Sequence, residues 1–151
     1  MELKSIYDEL YEKHGPQGWW PINNRYNKNN FSEKTEQEKF EISVGAILTQ
    51  NTSWNNVKKA LNKLRKNNRL NKEAIKNISQ EELAKLIISS GYNNQKAKKL
   101  KEFAEFNKKV TRENLLSIWG IGPETADSIL LYAYNYPIFV IDTYTKRVML
   151  H

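Results

Sequence analysis

The residues best suited to chemistry lie near the end of the chain, where two glycines stand between two helical patterns. The patterns cover 112–118 and 123–134, and only four residues separate them. The chain must reverse there, and Gly120 and Gly122 can take backbone conformations closed to other residues while leaving no side chain above the turn. Pro123 can open the second helix, because its missing N–H costs nothing at that position. A glycine turn that opens a helix with unpaired N–H groups is a natural seat for a phosphate.

Three stretches of the sequence together carry a family resemblance. They are L-L-S-I-W-G-I-G-P-E-T-A-D at 115–127, F-E-I-S-V-G-A-I-L-T-Q-N-T at 40–52 and G-Y-N-N-Q-K-A at 91–97. They resemble the endonuclease III superfamily of DNA glycosylases, in which the first stretch is a helix-hairpin-helix motif. The third stretch departs from the family at Asn93, where a tyrosine is usual. The resemblance covers nearly the whole chain and implies an all-α, endonuclease III-like DNA glycosylase fold.

The spacing of apolar residues predicts the same fold class from the residues alone. Thr35 and Ser79 each begin a capping box, and Ser53 and Thr111 stand where a helix would be capped. No stretch alternates convincingly between apolar and polar residues, so we expect seven or eight short helices and no sheet. Besides the two helices that flank the glycine turn and one that follows them, the spacing predicts helices at 1–14, 35–49, 53–64, 79–91 and 95–109.

The resemblance also divides the chain. It implies a helical bundle at 28–135 that ends in the helix-hairpin-helix at 111–134, and a second helical lobe to which 1–27 and 136–151 belong. Related enzymes continue for several more helices, and many end in four cysteines that hold an iron–sulfur cluster. We therefore expect a chain truncated at its C-terminus with an incomplete second lobe. Because the sequence contains no cysteine, we expect no iron–sulfur cluster in it.

Asp142 is the candidate catalytic residue. It lies in P-I-F-V-I-D-T-Y at 137–144, where the resembling enzymes carry an aspartate. Breaking the bond between a base and its sugar passes through a sugar that is positively charged near the anomeric carbon. A nearby carboxylate stabilises that charge and can orient or deprotonate water. The local pattern also allows Asp142 to be the N-cap of a helix at 143–150, and the two roles can coexist.

Glu124 decides which reaction the resemblance implies. Family members that also nick the strand have a lysine at this position, and its amine attacks the sugar to form a Schiff base. A carboxylate cannot form that adduct. We therefore expect a monofunctional DNA glycosylase of base excision repair that uses water and leaves an abasic site. A glutamate in a first helical turn also suits the helix dipole, which requires no catalytic role.

Three tryptophans and a proline are the candidate pocket for a damaged base. The small bacterial 3-methyladenine (alkylpurine) DNA glycosylases carry a similar set of residues. In this chain the set is Trp19, Trp20, Pro21 and Trp54, together with Glu124. Indole faces attract a cationic base such as an alkylated purine by about 0.5 to 2 kcal/mol. The four residues would line the pocket for a base flipped out of the duplex. The plainer interpretation is a loop pinned to the core by large rings.

The predicted DNA contacts follow from the same resemblance. Gln50 occupies the place of a glutamine that enters the duplex and fills the gap left by the flipped base. Phosphate contacts would come mainly from hairpin amides, with three basic side chains beside them, and family hairpins hold Na+ or K+ through main-chain carbonyls. The predicted DNA ligands are Gly120, Gly122, Pro123, Glu124, Thr125, Lys96, Lys146 and Arg147, and the predicted cation ligands are the carbonyls of Leu116, Ile118 and Ile121.

Charge and composition fit this prediction. Residues 56–112 carry 16 Lys or Arg and 5 Glu within a net charge of +7, which favours a polyanionic partner such as DNA. Lys and Asn are abundant throughout, so an A/T-rich coding sequence is an alternative source of this charge. No apolar run approaches the roughly 20 residues of a membrane span, and the N-terminus lacks a signal-peptide layout. We expect a cytoplasmic monomer that binds damaged double-stranded DNA and no membrane.

Two other functions stay open. The same scaffold could excise a different lesion, such as uracil or thymine in a mismatch. The chain could also be a helix-hairpin-helix module that binds DNA without catalysis, because such units recur in many DNA-binding proteins.

Overall fold

The computed structural model describes residues 2–29 and 31–151. Within that part the chain is helical, and instead of a strand there is one isolated antiparallel bridge between Ile22 and Arg25. The chain divides into two compact units, Met1–Ser32 and Glu33–His151. The α-helices of the described residues are α1 (Leu3–His14), α2 (Glu36–Leu48), α3 (Trp54–Lys66), α4 (Lys72–Asn77), α5 (Gln80–Leu86), α6 (Asn93–Glu105), α7 (Arg112–Leu116), α8 (Pro123–Ser128) and α9 (Thr143–Met149).

The all-α prediction is confirmed. None of the helices in the described residues is long and apolar enough to cross a lipid bilayer. The predicted pairing of 1–27 with 136–151 in one lobe stays a prediction, as does the bundle at 28–135.

The first unit contains one helix and a polar loop. Helix α1 has no buried residue, although its apolar side chains are spaced as the sequence predicts, and the rings of Tyr7 and Tyr11 stack at 5.9 Å. The predicted first residue of this helix, Met1, lies outside the described residues, as does position 30 in the loop. In the loop, the ring of Trp19 stands edge-on to Trp20 and to Tyr26, at 5.5 Å from each.

Helix α2 is the centre of the second unit. Every residue from Phe40 to Leu48 is buried, because α2 packs against α3, α6, α8 and the turn that follows α8. A complete capping box starts the helix: the Thr35 side chain accepts the Glu38 N–H, and the Glu38 carboxylate accepts the Thr35 N–H at 2.8 Å. The C-terminal end of α2 leads directly to Gln50.

Other predicted helix starts are correct to within a residue or two. Ser79 and Thr111 each accept an N–H three residues later, at 3.1 Å. Ser53 occupies the N-cap of α3 without a side-chain cap bond. Helix α6 begins at Asn93, two residues before the prediction, after Tyr92 in the left-handed region (φ 44°).

Two features depart from the prediction. The short helix α4 was not expected, since its one buried residue, Ile75, sets no periodic pattern. The second hairpin helix is α-helical only to Ser128 and continues as a π-helical turn at Ile129–Ala133. Turns of this kind change which side chains share a face, and they occur often at functional sites.

Candidate active site and nucleic-acid interface

The hairpin turn between α7 and α8 is closed by a hydrogen bond from the Ile121 N–H to the Ile118 carbonyl at 3.1 Å. Gly120 has φ +81°, and a Cβ atom there would lie 2.5 to 2.9 Å from three side-chain carbons of Lys99. Gly120 therefore uses the conformational freedom of glycine. Gly122 does not, because its φ of −93° and ψ of −179° suit any residue. A Cβ atom at Gly122 would meet nothing within 4 Å, so the space above this end of α8 is open.

An ion pair braces the two hairpin helices. The Arg112 guanidinium at the start of α7 donates from Nε to Asp127 Oδ1 at 2.8 Å and from Nη2 to Oδ2 at 3.3 Å. This contact with Asp127 raises the pKa of Arg112. The brace crosses from one hairpin helix to the other and holds their relative angle.

Asp142 caps α9 and is half-buried. Its Oδ1 accepts the Thr145 N–H at 2.7 Å and the Thr145 hydroxyl at 2.7 Å. Its Oδ2 has no hydrogen-bond partner among residues 2–29 and 31–151. The N-cap interpretation is therefore confirmed, and it occupies one carboxylate oxygen while leaving the other available.

Two further titratable groups lie close to Asp142, and a third lies close to one of them. Burial raises the pKa of Glu124, the Asp142 charge raises it further, and Lys146 opposes both effects. Burial also raises the pKa of Tyr132 in the π-helical turn, with the Asp142 charge again adding to it. The structure thus brings the first turn of α8, the π-helical turn and the start of α9 to one place. Tyr132 was missed by the sequence analysis.

Gln50 is held through both polar atoms of its amide, one bonded to the hairpin and the other to α6. Its Nε2 donates to the Thr125 hydroxyl at 2.9 Å, and its Oε1 accepts from Lys99 Nζ at 2.5 Å. An ammonium group has only donors, so this contact fixes which side of the amide is the oxygen. Thr125 was a predicted DNA ligand, but its side chain is buried beneath Gln50. Burial lowers the pKa of Lys99.

Lys96 was predicted to bind phosphate, and the structure contradicts this. Its side chain is 1% exposed, and Nζ donates to the carbonyls of Leu48 at 2.9 Å and Ser90 at 2.5 Å. Burial, with a smaller effect of Lys99, lowers the pKa of Lys96 to about 8. Lys96 therefore joins the ends of α2 and of the turn before α6, and it is not available to DNA.

Two more lysines of α6 point at the protein. Lys98 Nζ lies 4.0 Å from the centre of the Trp119 ring in the hairpin turn. Lys101 Nζ donates to the carbonyls of Ile75, Lys76 and Ile78 at the end of α4, the second of these at 2.9 Å. Much of the basic segment is therefore used within the bundle.

The cations of α9 are placed differently. Lys146 and Arg147 are exposed, and the Arg147 guanidinium lies 5.6 Å from the centre of the Tyr144 ring. Their predicted contacts with phosphate stay predictions.

The predicted base pocket draws on both units. Trp20 and Pro21 are buried and Trp19 is exposed in the first unit, while Trp54 is half-buried as the first residue of α3 in the second. The pocket itself stays a prediction. A cavity of about 350 Å³ in the second unit contains none of the predicted site residues and is lined in part by Phe40, Phe103, Phe106, Lys39 and Lys72.

The predicted cation site consists of carbonyl oxygens alone. Leu116 ends α7, and Ile118 and Ile121 form the turn, so all three lie in one short segment. Carbonyl oxygens suit a monovalent cation, although the Ile118 carbonyl also accepts the Ile121 N–H. By donor chemistry the residues fit Na+ or K+, which would stabilise the turn.

Comparison with known proteins identifies the family. Residues 44–151 match the family described as HhH-GPD superfamily base excision DNA repair protein. The chain belongs to this family.

Three known proteins illustrate the likeness. A Methanocaldococcus jannaschii protein, provisionally named a DNA repair glycosylase, is 41% identical over 162 residues that cover 97% of this chain and 67% of that protein. The solved 3-methyladenine DNA glycosylase of H. pylori, bound to 1,N6-ethenoadenine, has a TM-score of 0.75 and 33% identity over 98% of this chain and 70% of that one. Endonuclease III in a non-covalent DNA complex has a TM-score of 0.75 at 19% identity, over 97% of this chain and 65% of that one. The fold is that of endonuclease III-like DNA glycosylases.

Proposed function

We propose that this protein is a monofunctional DNA glycosylase that releases an alkylated purine such as 3-methyladenine and leaves an abasic site. The observation that carries the proposal is the available Oδ2 of Asp142, held beside the first turn of α8. The likeness to the H. pylori enzyme supports the choice of base. The chain spans about two thirds of the relatives' length, so this activity is proposed for the protein to which these residues belong.

The chemistry follows from one carboxylate. As the bond between base and sugar breaks, positive charge develops on the sugar, and Asp142 stabilises it through Oδ2. The same oxygen orients a water molecule for attack on the anomeric carbon. As the water attacks, Oδ2 accepts a proton from that water. An alkylated purine leaves readily because it is cationic, so no acid has to protonate it.

Glu124 limits the reaction to base release. A carboxylate forms no Schiff base with the sugar, and Lys96 and Lys99 on α6 are held by protein groups. The strand therefore stays intact after the base leaves.

DNA would be held at the open end of the hairpin. The free space above Gly122 allows a phosphate to approach the amides of the first turn of α8. Lys146 and Arg147 are exposed close by on α9 and supply positive charge.

The test is base release from methylated duplex DNA, with the released base identified by chromatography. We expect 3-methyladenine from the wild type and a rate at least about 100-fold lower from Asp142→Asn. Asparagine is as good an N-cap as aspartate, so thermal unfolding should be unchanged. Glu113→Gln, which neutralises an exposed carboxylate in α7, is the matched control and should keep full activity.

Duplexes with a single defined lesion separate the alternatives. Release of uracil or mismatched thymine without 3-methyladenine would replace the proposed substrate and keep the reaction. Covalent trapping by borohydride would contradict hydrolysis by water. DNA binding without base release, by the wild type and by Asp142→Asn alike, would favour a DNA-binding module without this chemistry.

A further inference from the structure

The carboxylate of Asp142 receives one more hydrogen bond than an N-cap requires. Capping needs only the bond from the Thr145 N–H, which is 2.7 Å long. The Thr145 hydroxyl adds a second bond of 2.7 Å to the same oxygen, Oδ1. The hydroxyl also lies 3.4 Å from the Val140 carbonyl. Because it has only one proton to donate, it donates to the carboxylate, where the contact is shorter and the acceptor is charged.

Two donors from one residue determine how the carboxylate is oriented. With the N–H alone, the carboxylate could turn about its last bond and offer either oxygen to the helix, since terminal torsions of this kind are broad. The hydroxyl approaches from the side chain of Thr145, so the two bonds together favour one rotation. That rotation leaves Oδ2 as the oxygen without a partner in the described part of the chain.

We infer that Thr145 is a positioning residue for Asp142: its N–H and hydroxyl hold Oδ1, so that Oδ2 faces the sugar. This inference rests on the proposed function, because it assigns the geometry of the same carboxylate. It also explains how Asp142 combines capping with chemistry, since each role uses a different oxygen.

The experiment compares Thr145→Val with Thr145→Ser in steady-state assays on methylated duplex DNA. Valine keeps the shape and the backbone N–H but lacks the hydroxyl, so we expect kcat to fall about 10-fold, since small misplacements of a reacting group cost up to 100-fold. The KM should change less than 2-fold. Thr145→Ser keeps the donor and should restore most of the rate.

Two controls separate positioning from folding. Thr143→Val removes an exposed hydroxyl from the same helical turn, one with no hydrogen bond among the described residues, and should leave kcat and KM unchanged. Combining Thr145→Val with Asp142→Asn should cause no loss beyond that of Asp142→Asn alone, because Thr145 acts through the carboxylate.

Each outcome is decisive. Wild-type kcat in Thr145→Val, with an inactive Asp142→Asn, would overturn the role of Thr145 and keep the proposed function. Equal losses in Thr145→Val and Thr145→Ser would also overturn it. If the wild type releases no base from any duplex, the proposed function fails and this role fails with it.

Discussion

Helices α6 and α9 both carry closely spaced cations, yet they use them in opposite ways. In α6, Lys96 and Lys101 donate to main-chain carbonyls and Lys99 donates to a side chain, all within the bundle. In α9, Lys146 and Arg147 are exposed. A basic stretch in a sequence is therefore weak evidence for a nucleic-acid surface until the direction of each side chain is known. Here the lysines of α6 hold neighbouring elements of the bundle together, and the cations of α9 remain available to a polyanion.

The largest effect on stability should come from Lys96. We expect Lys96→Met to lower the free energy of unfolding by about 2 kcal/mol at pH 7, because the carbonyls of Leu48 and Ser90 lose their donor inside the core. Chemical denaturation measures this. The same substitution at Lys146 should leave the unfolding curve unchanged. If the two variants proved equally stable, the contrast between the helices would not hold.

The pH dependence sharpens the same contrast. The pKa of Lys96 is lowered to about 8 in the folded protein and returns to an ordinary value near 10.4 on unfolding. Between these values the unfolded chain binds more protons, so stability from this group rises with pH. The wild type should gain up to about 3 kcal/mol relative to Lys96→Met from pH 8 to pH 10.5. If the free energies of unfolding of the wild type and of Lys96→Met changed with pH in parallel, the ammonium of Lys96 would not be buried as described.

The two hairpin glycines offer a matched pair of smaller effects. Gly120→Ala should destabilise the protein by about 1 to 2 kcal/mol, because φ is positive and the new methyl meets the Lys99 stem. Gly122→Ala should leave stability unchanged but weaken DNA binding about 10-fold, because the methyl fills the space in front of the amides. Fluorescence anisotropy with a labelled duplex and thermal unfolding measure the two quantities. Unchanged DNA affinity in Gly122→Ala would remove the hairpin from the interface.

The smallest expected effect is on the salt dependence of DNA binding. Each phosphate contact contributes about 0.9 to the slope of log affinity against log salt. We expect Lys146→Ala and Arg147→Ala each to reduce that slope by about 1, with no change in unfolding. Lys101→Met should do the reverse: it should keep the slope and lower stability, because Lys101 holds the end of α4. A reduced slope in Lys101→Met would show that the α6 cations also reach DNA.

Much of the fold follows from local signals in the sequence. The capping residues Thr35, Ser79 and Thr111 set helix starts through short-range bonds, and such bonds depend on few residues. The start of α6 was displaced because Tyr92 adopts a left-handed conformation that residues other than glycine rarely take. The π-helical turn adds a residue without any change in apolar pattern, so the sequence gives no sign of it.

The sequence located some residues of the candidate site correctly and missed or misjudged others, in each case for a physical reason. Asp142 was found through its place after the hairpin, and its capping bonds agree with a helix start. Lys96 was misjudged although a signal was present: it lies on the same helical face as Leu100 and Phe103, which are buried. Tyr132 was missed because its closeness to Asp142 depends on how the segment after the hairpin folds back.

The two hydrogen bonds of the Gln50 amide oppose any movement of the Gln50 side chain. Both polar ends of this side chain are already satisfied, by Thr125 on one side and Lys99 on the other. Displacing it leaves a half-buried ammonium and a buried hydroxyl without this partner, so whatever displaces Gln50 must return at least as much hydrogen bonding as it removes. A surface that offers no comparable acceptor or donor leaves Gln50 in its two hydrogen bonds. These bonds therefore set a minimum interaction energy that any partner must supply before the side chain moves.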